Sequence, residues 1–201
     1  MKIERKQIIN THKNTAEHIL DTAQDLIQRR GYNAISFNQI AEQVGIKKPS
    51  IIHHFPNKEA LGKAVVERYR KMFAAGMDAI SIAPDKSAMD AFNFYCKPYK
   101  DFGLEEDKIC LCGSLAGEFM ALPEDVQKEV NCFFESHINW LEDLVTRGRE
   151  SGEFTFQGPV NRMAQLILDS LQGALIVKRA TKSKEHLDST ITILKKLIKP
   201  S

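Results

Sequence analysis

The sequence predicts an all-α protein, and three observations carry that expectation. Apolar residues recur at three- and four-residue spacing, as in Ile19, Leu20, Ala23, Leu26 and Ile27. No stretch sustains the period-two alternation of a half-buried strand, and no Asn-Gly or Asp-Gly pair offers a hairpin turn. Capping residues, glycines and prolines punctuate the chain at helical intervals.

Taken in order, the first helix is expected to begin at Asn14, with Glu17 three places on, and to end at Gly31 after Arg29 and Arg30. Ser36 and Gln39 form a capping box for a short helix, Phe37 to Val44, whose inward face is Phe37, Ile40, Ala41 and Val44 and which Gly45 stops. Pro49 suits the first turn of a third helix ending near Phe55 and Pro56. Asn57 caps a fourth, reaching about Ile82 before Pro84. Ser87 to about Phe102 reads as one helix that Pro98 kinks or ends, and Cys112 to Ala121 as another. Pro123 opens a long helix to about Ser151, closed by Gly152. After the turn-like FTFQGP come Val160 to Thr181 and Lys184 to about Ile198. No low-complexity linker or internal repeat intervenes, so the sequence divides into a three-helix head, 12–60, and a helical body, 61–201, sharing the fourth helix.

Composition narrows the function. The net charge of +2 is unevenly spread: residues 1–72 carry 13 basic against 7 acidic groups, and the remainder 15 against 19. A basic head on an acidic body suits a protein whose head alone meets a polyanion, although uneven surface charge gives the same count. No apolar run approaches the roughly 18 residues of a membrane span, and the polar N-terminus MKIERKQIINTHKN lacks a signal core. Four cysteines in 201 residues do not make a disulfide scaffold, which points to the reducing cytoplasm.

The stretch AEQVGIKKPSIIHHF carries the sharpest signal. Two short helices joined by a glycine turn, the second opening on basic and hydroxyl residues, describe a helix-turn-helix. In such a motif the second helix offers its N-terminal residues to base edges in the major groove. Lys47 and Lys48 suit phosphates or, for Lys48, a guanine edge, and Ser50 suits phosphate oxygens. Ile51 and Phe55, four apart, face inward. A solvated helical hairpin remains compatible with the pattern alone. His53 and His54 make a poor metal pair, since adjacent helical residues point about 100° apart, and no metal site or cofactor is expected.

The segment from about Thr15 to Leu61 resembles the N-terminal domain of the TetR family of bacterial transcriptional repressors. The matching features are Gly31-Tyr32, Ile40-Ala41, Val44-Gly45-Ile46, Lys48-Pro49-Ser50, His53-His54-Phe55 and Asn57-Lys58-Glu59-Ala60-Leu61. The resemblance implies DNA-backbone contacts at Ser36, Ser50, His54 and Lys58, and base or backbone contacts at Lys47, Lys48, Pro49 and His53. Where the family usually carries an aromatic, this chain has Ile52, which can touch a thymine methyl but cannot hydrogen-bond phosphate. In the body, ICLCGSLAGEFMALPEDVQKEV resembles a stretch in which some branches place a cysteine at the position of Cys110.

A body that receives a signal needs a cavity. Its candidate lining is Phe92, Tyr95, Tyr99, Phe102, Phe119, Phe133, His137 and Trp140, although an aromatic stripe such as Phe133, His137, Trp140 and Leu144 also serves as plain core. Cys110 and Cys112, with Cys96 or Cys132, are either buried structural residues or sensors of electrophiles and oxidants; no second ligand pair supports a soft metal. The last two helices carry more apolar surface than one core needs, and Leu166, Leu171, Ala174, Leu175, Ile191 and Leu194 are the candidate dimer contacts. By resemblance these helices pair with a second subunit in a four-helix bundle.

The expected function is a homodimeric, cytoplasmic repressor that binds double-stranded DNA at a near-palindromic operator and is released by a small hydrophobic or electrophilic ligand. A cysteine-based redox or electrophile sensor and an activator with the same head remain alternatives. No catalytic elbow, zinc-protease, P-loop or dinucleotide pattern is present, so an enzyme is not expected.

Overall fold

The computed structural model describes residues 2–183 and 185–199, with 2–14 described for the backbone alone. These residues form nine α-helices and one 3-10 turn, and no strand occurs among them. The head comprises α1 (Lys2–Arg30), α2 (Phe37–Val44) and α3 (Lys48–His54). Next, α4 (Lys58–Ser81) leads into the body of α5 (Ala88–Leu104), α6 (Leu111–Ala116), a 3-10 turn (Phe119–Ala121), α7 (Glu124–Glu150), α8 (Val160–Thr181) and α9 (Glu185–Ile198). The expected start of the last helix at Lys184 falls outside the described residues.

Local chemistry accounts for the head. The Ser36 hydroxyl accepts from the Gln39 N–H at 3.4 Å while the Gln39 side chain accepts from the Ser36 N–H at 2.9 Å, closing the capping box of α2. Gly45, at φ 76°, ends that helix in the left-handed conformation. The Asn57 side chain accepts from the Ala60 N–H at 2.8 Å and starts α4. At its full 24 residues, α4 reaches about 36 Å, long enough to serve head and body alike.

Three boundaries differ from expectation. Asn14 does not cap α1: the helix begins at Lys2, and the stretch before Asn14 contains neither Pro nor Gly to interrupt it. Pro98 does not end α5, which runs through it to Leu104 at the loss of one backbone hydrogen bond. The span Cys112 to Ala121 is two elements, because α6 stops at Ala116 and the chain turns through Gly117 before the 3-10 turn. That break aims Glu118 at the turn between α1 and α2.

The body packs around α7, which lies against both α8 and α4. Its inward stripe, Phe133, His137, Trp140, Leu141 and Leu144, is buried together with Ile167, Leu171 and Leu175 of α8 and Ile191 and Leu194 of α9. Lys178 of α8 is also buried, and its ammonium donates to the backbone carbonyls of Phe102, Glu105 and Glu106. Those carbonyls lie at the C-terminus of α5, where a cation offsets the negative end of the helix dipole.

Candidate nucleic-acid interface and internal cavity

Helix α3 is held from beneath by Ile51, fully buried, and Phe55, nearly so. Its opposite face is solvent-exposed along Lys48, Pro49, Ser50, Ile52 and His53, with Lys47 exposed at the N-cap and His54 half-buried. The two histidine rings meet edge to face at 5.3 Å. A short helix that opens beside two lysines and a serine concentrates positive potential at one end, although Pro49 carries no N–H and the Ser50 N–H is already bonded to the Lys47 carbonyl at 2.9 Å. Two other expected contacts are occupied within the chain. Ser36 is engaged in the α2 cap, and Lys58 lies 4.6 Å over the Tyr32 ring and donates to the Asn33 carbonyl at 3.4 Å. Partial burial lowers the pKa of Lys58, and the Glu118 carboxylate works against that shift.

The head is fastened to the body by buried hydrogen bonds from the Gln28 amide to the Ile109 carbonyl and from the Ser114 hydroxyl to the Ile27 carbonyl, by Arg68 of α4 with Glu17 and Asp21 of α1, and at two further points. At the first, the Glu118 carboxylate accepts from the Asn33 backbone N–H at 2.9 Å and the Asn33 side-chain amide at 2.7 Å. This places it directly over Gly31, whose φ of 89° keeps the turn open. At the second, the segment after α5 meets α1 through four charges. Arg29 binds Asp25 at 2.9 Å and also Glu105; Lys108 binds Asp25 at 3.0 Å and stands 3.7 Å from Glu105. Partial burial pushes the Asp25 pKa up, but the hydrogen bonds from Arg29 and Lys108 outweigh it and hold that carboxyl below its ordinary value.

A cavity of about 310 Å³ opens between α1, α4 and α5. Its apolar walls are Met72, Phe73 and Met77 of α4 with Phe94, Tyr95, Pro98 and Phe102 of α5, and Gly76 leaves space between the turns. Its polar end is Gln24 and Gln28 of α1 with Lys108, while Asp101 stands on the wall bonded to Lys97 at 2.8 Å. Of the aromatics singled out from sequence, Tyr95 and Phe102 line this space. Phe133, His137 and Trp140 are packed behind it, Phe92 and Tyr99 are buried in the core, and Phe119 is half-buried on the 3-10 turn. The stripe on α7 is spent on packing. The lining that the sequence reading missed does carry a signal: Tyr69, Met72, Phe73, Gly76 and Met77 fall at helical spacing on one face of α4, as Gln24 and Gln28 do on α1.

Behind the cavity runs a buried polar chain. The Tyr95 hydroxyl meets His137 Nδ1 at 2.9 Å. The Gln172 amide donates to the Tyr99 hydroxyl at 3.1 Å and to Cys110 Sγ at 3.4 Å, and the Tyr69 hydroxyl reaches the same sulfur at 3.7 Å. Burial lowers the His137 pKa to about 3, so the ring is neutral. The cysteines differ in kind. Cys110 carries two hydrogen-bond donors at its sulfur, whereas the fully buried Cys112 thiol is pushed well above its ordinary pKa by desolvation and Cys96 to about 12 for the same reason. Cys132 is exposed on α7. Lys108, the cation nearest Cys110 in sequence, turns to Asp25 and Glu105 instead. Among the described residues no cluster of metal-ligating side chains occurs.

The expected dimer contacts are also redistributed. Leu171, Ala174, Leu175, Ile191 and Leu194 face the chain's own core and are buried, because α8 and α9 need an inward stripe as much as an outward one. Leu166 is exposed, and with Ile176 and Val177 of α8 and Ile193 and Leu197 of α9 it leaves an uncovered apolar face.

Comparison with known proteins agrees with the all-α fold. A family model described as bacterial regulatory proteins, tetR family, matches residues 19–65, and one described as tetracyclin repressor-like, C-terminal domain, matches residues 103–194. The HTH-type transcriptional repressor NemR of Escherichia coli is 25% identical over 94% of this chain and 96% of its own length. The crystal structure of its reduced form superposes with a TM-score of 0.81, covering 94% of this chain and 99% of that one. A TetR transcriptional regulator from Legionella pneumophila is 33% identical over 91% of this chain and 96% of its own, with a TM-score of 0.81. A TetR-family regulator from Agrobacterium tumefaciens is 28% identical over 94% and 100%, with a TM-score of 0.88. Among the described residues no helix is long and apolar enough to cross a membrane.

Proposed function

Since the chain belongs to the TetR family of DNA-binding transcriptional regulators, we propose that it is a cytoplasmic, homodimeric repressor whose α3 helices read a near-palindromic operator and whose cavity takes a small effector. The observation that carries the reading is the two-sidedness of α3: Ile51 and Phe55 anchor it, while Lys48, Pro49, Ser50 and His53 stand in solvent at its leading end. Lys48 and Lys47 supply counterion release, and the Ser50 hydroxyl supplies a hydrogen bond to phosphate or base. Pairing of two subunits through Leu166, Val177, Ile193 and Leu197 would set two such helices on one DNA face, which is what a two-fold operator requires. Ser36 caps α2 through its hydroxyl oxygen and Lys58 gives one of its three N–H donors to Asn33, which leaves the rotatable Ser36 O–H and the remaining Lys58 donors for a phosphate.

The test is a mobility shift on the gene's own upstream DNA across a salt series. The wild type is expected to bind with a salt-dependent affinity, and Lys48→Ala with Ser50→Ala to lose binding while the circular dichroism spectrum stays helical. Undiminished binding by the double variant sinks the assignment of α3.

A second reading, thiol sensing by Cys110, is favoured by one observation. Its sulfur receives hydrogen bonds from Tyr69 and Gln172, and Tyr69 itself lines the cavity, which puts this sulfur one side chain away from a guest. Loss of operator binding on thiol oxidation in the wild type and in Cys112→Ser, but not in Cys110→Ser, would establish it.

A further inference from the structure

The cavity is unusual in what closes its polar end: Gln24 and Gln28 belong to α1, a helix of the head, and Lys108 belongs to the segment entering α6. Resting on the reading of this cavity as the effector site, we propose that its effector is a small organic anion, an apolar chain or ring ending in a carboxylate, which binds Lys108 and loosens α1 from the body.

The wall composition selects the tail. Met72, Phe73, Met77, Phe94 and Phe102 offer only carbon, sulfur and ring faces to a guest, so the guest's body is apolar. The end wall selects the head group. Lys108 brings an ammonium with three N–H donors, and Gln24 and Gln28 add amides beside it. Arg68 fixes the Gln24 carbonyl oxygen at 3.1 Å and the Ile109 carbonyl takes the Gln28 amide at 2.9 Å, so the two side chains are held in place. The carboxylate on the wall, Asp101, is already matched by Lys97.

Charge balance links binding to release. Asp25 and Glu105 face Arg29 and Lys108, two anions against two cations, and the contacts among them join α1 to the segment after α5. A neutral guest leaves that balance intact. A guest carboxylate makes three anions share two cations, and the excess negative charge acts on Asp25 and Glu105, which sit on opposite sides of the head–body seam. The guest's apolar tail meanwhile anchors it against α4 and α5, so the partner given up is Asp25 on α1. Differential contact in the joined and loosened arrangements is what a ligand needs in order to shift an equilibrium between them.

Trp140, the sole tryptophan, stacks on Tyr95 of the cavity wall with ring centroids 5.4 Å apart, so its emission reports occupancy in the full-length protein. Octanoate, 1-octanol and octylamine share a tail and differ in charge. Octanoate is expected to change the emission saturably and to bind on the order of tenfold more tightly than octanol, the size of one charge-assisted hydrogen bond, with octylamine weakest. It is also expected to dissociate the complex with upstream DNA at concentrations where octanol does not, and Lys108→Met should erase the preference for octanoate. Equal binding of octanoate and octanol, or tighter binding of octylamine, overturns the anion assignment while leaving the cavity as the effector site. Tight octanoate binding with the DNA complex intact overturns the coupling through Lys108. If none of the three probes changes Trp140 emission, the reading of this cavity as the effector site fails as well.

Discussion

Replacing Gly31 with alanine tests how the body holds the head. Two costs arise at that position. Gly31 sits at φ 89°, where a side chain adds roughly 1–2 kcal/mol. Its new Cβ would also lie 1.8 Å from Glu118 Oε1, so the carboxylate must leave. Leaving forfeits the bonds to the Asn33 N–H and side-chain amide, solvent-accessible pairs that contribute about 0.5–1 kcal/mol each. The sum is about 2–4 kcal/mol, or a fall in Tm of roughly 6–12 °C for a chain of this size. Gly45 is the internal control: its φ is 76°, yet a Cβ there meets nothing within 4 Å, so Gly45→Ala incurs the backbone term alone and about 3–6 °C. Differential scanning calorimetry on both variants and on Gly31→Ala in a Glu118→Ala background completes a double-mutant cycle. In that background the collision is gone, and the alanine should cost no more than it does at Gly45. If Gly31→Ala costs the same with and without Glu118, the carboxylate does not seat on that turn and the proposed fastening is wrong.

Three further outcomes follow from the geometry. His137 is neutral when folded, with a pKa near 3 against an ordinary 6.5, so unfolding takes up a proton at acidic pH. Stability from this residue is complete above about pH 6.5 and falls toward pH 3 by about 1.4 kcal/mol per unit; unfolding free energies from urea titrations at pH 7 and pH 5 should differ by about 2 kcal/mol more in wild type than in His137→Gln, and equal differences would contradict it. On the exposed α8–α9 face, Ile193→Asp is expected to convert a dimer to a monomer in sedimentation velocity without loss of helicity, whereas an unchanged dimer would place the interface elsewhere. Iodoacetamide should label native Cys132 first; in Cys132→Ser, peptide mass spectrometry should find the slow remaining label on Cys110 ahead of Cys112, whose buried thiol resists ionisation.

What the sequence revealed of the fold was whatever is decided locally. The Ser36–Gln39 box, Gly45, Asn57 and Gly31 each set a boundary through contacts within five residues, and those boundaries stand where the residue types place them. Asn14 misled because a capping residue is only a cap if the preceding turn is not helical, and nothing before it breaks a helix. The two surfaces were harder for a different reason. On α8, Leu171 and Leu175 form one apolar stripe and Leu166 with Val177 another; periodicity shows that both exist but not which one meets the chain's own core. The aromatics of α7 had the right chemistry for a cavity, but Phe133, His137 and Trp140 interlock with Tyr95 and Phe73 and leave no space among themselves. A cavity is a failure of packing between elements, and no single helix records it.

The strength of the head–body seam sets how far an effector can move it. Arg29 with Glu105, Lys108 with Asp25, and Glu118 with Asn33 are all partly exposed, and such contacts contribute roughly 0.5–1 kcal/mol each. Together they reach about 1.5–3 kcal/mol, the usual size of a coupling between two sites and enough for a change of roughly 10- to 150-fold in operator affinity. Tyr32 is different. It is buried between head and body, close enough to Gly62 that a Cβ there would lie 2.7 Å from its ring, and that same Cβ would lie 3.2 Å from Val126 of α7. Exposing an aromatic of this size costs about 2–3 kcal/mol by itself, as much as those three partly exposed contacts together, and the buried bonds of Gln28 to Ile109 and Ser114 to Ile27 add to it. On the proposed reading, an effector that unbalances the charges near Lys108 would open the seam on the Asp25 side, while Tyr32 and the buried bonds of Gln28 to Ile109 and Ser114 to Ile27 would remain as the contact about which the head tilts. In the proposed dimer, a tilt of α1 would move the α3 helices of the two subunits in opposite senses across the dyad. A change in their separation defeats two-site binding even when each helix keeps its own shape.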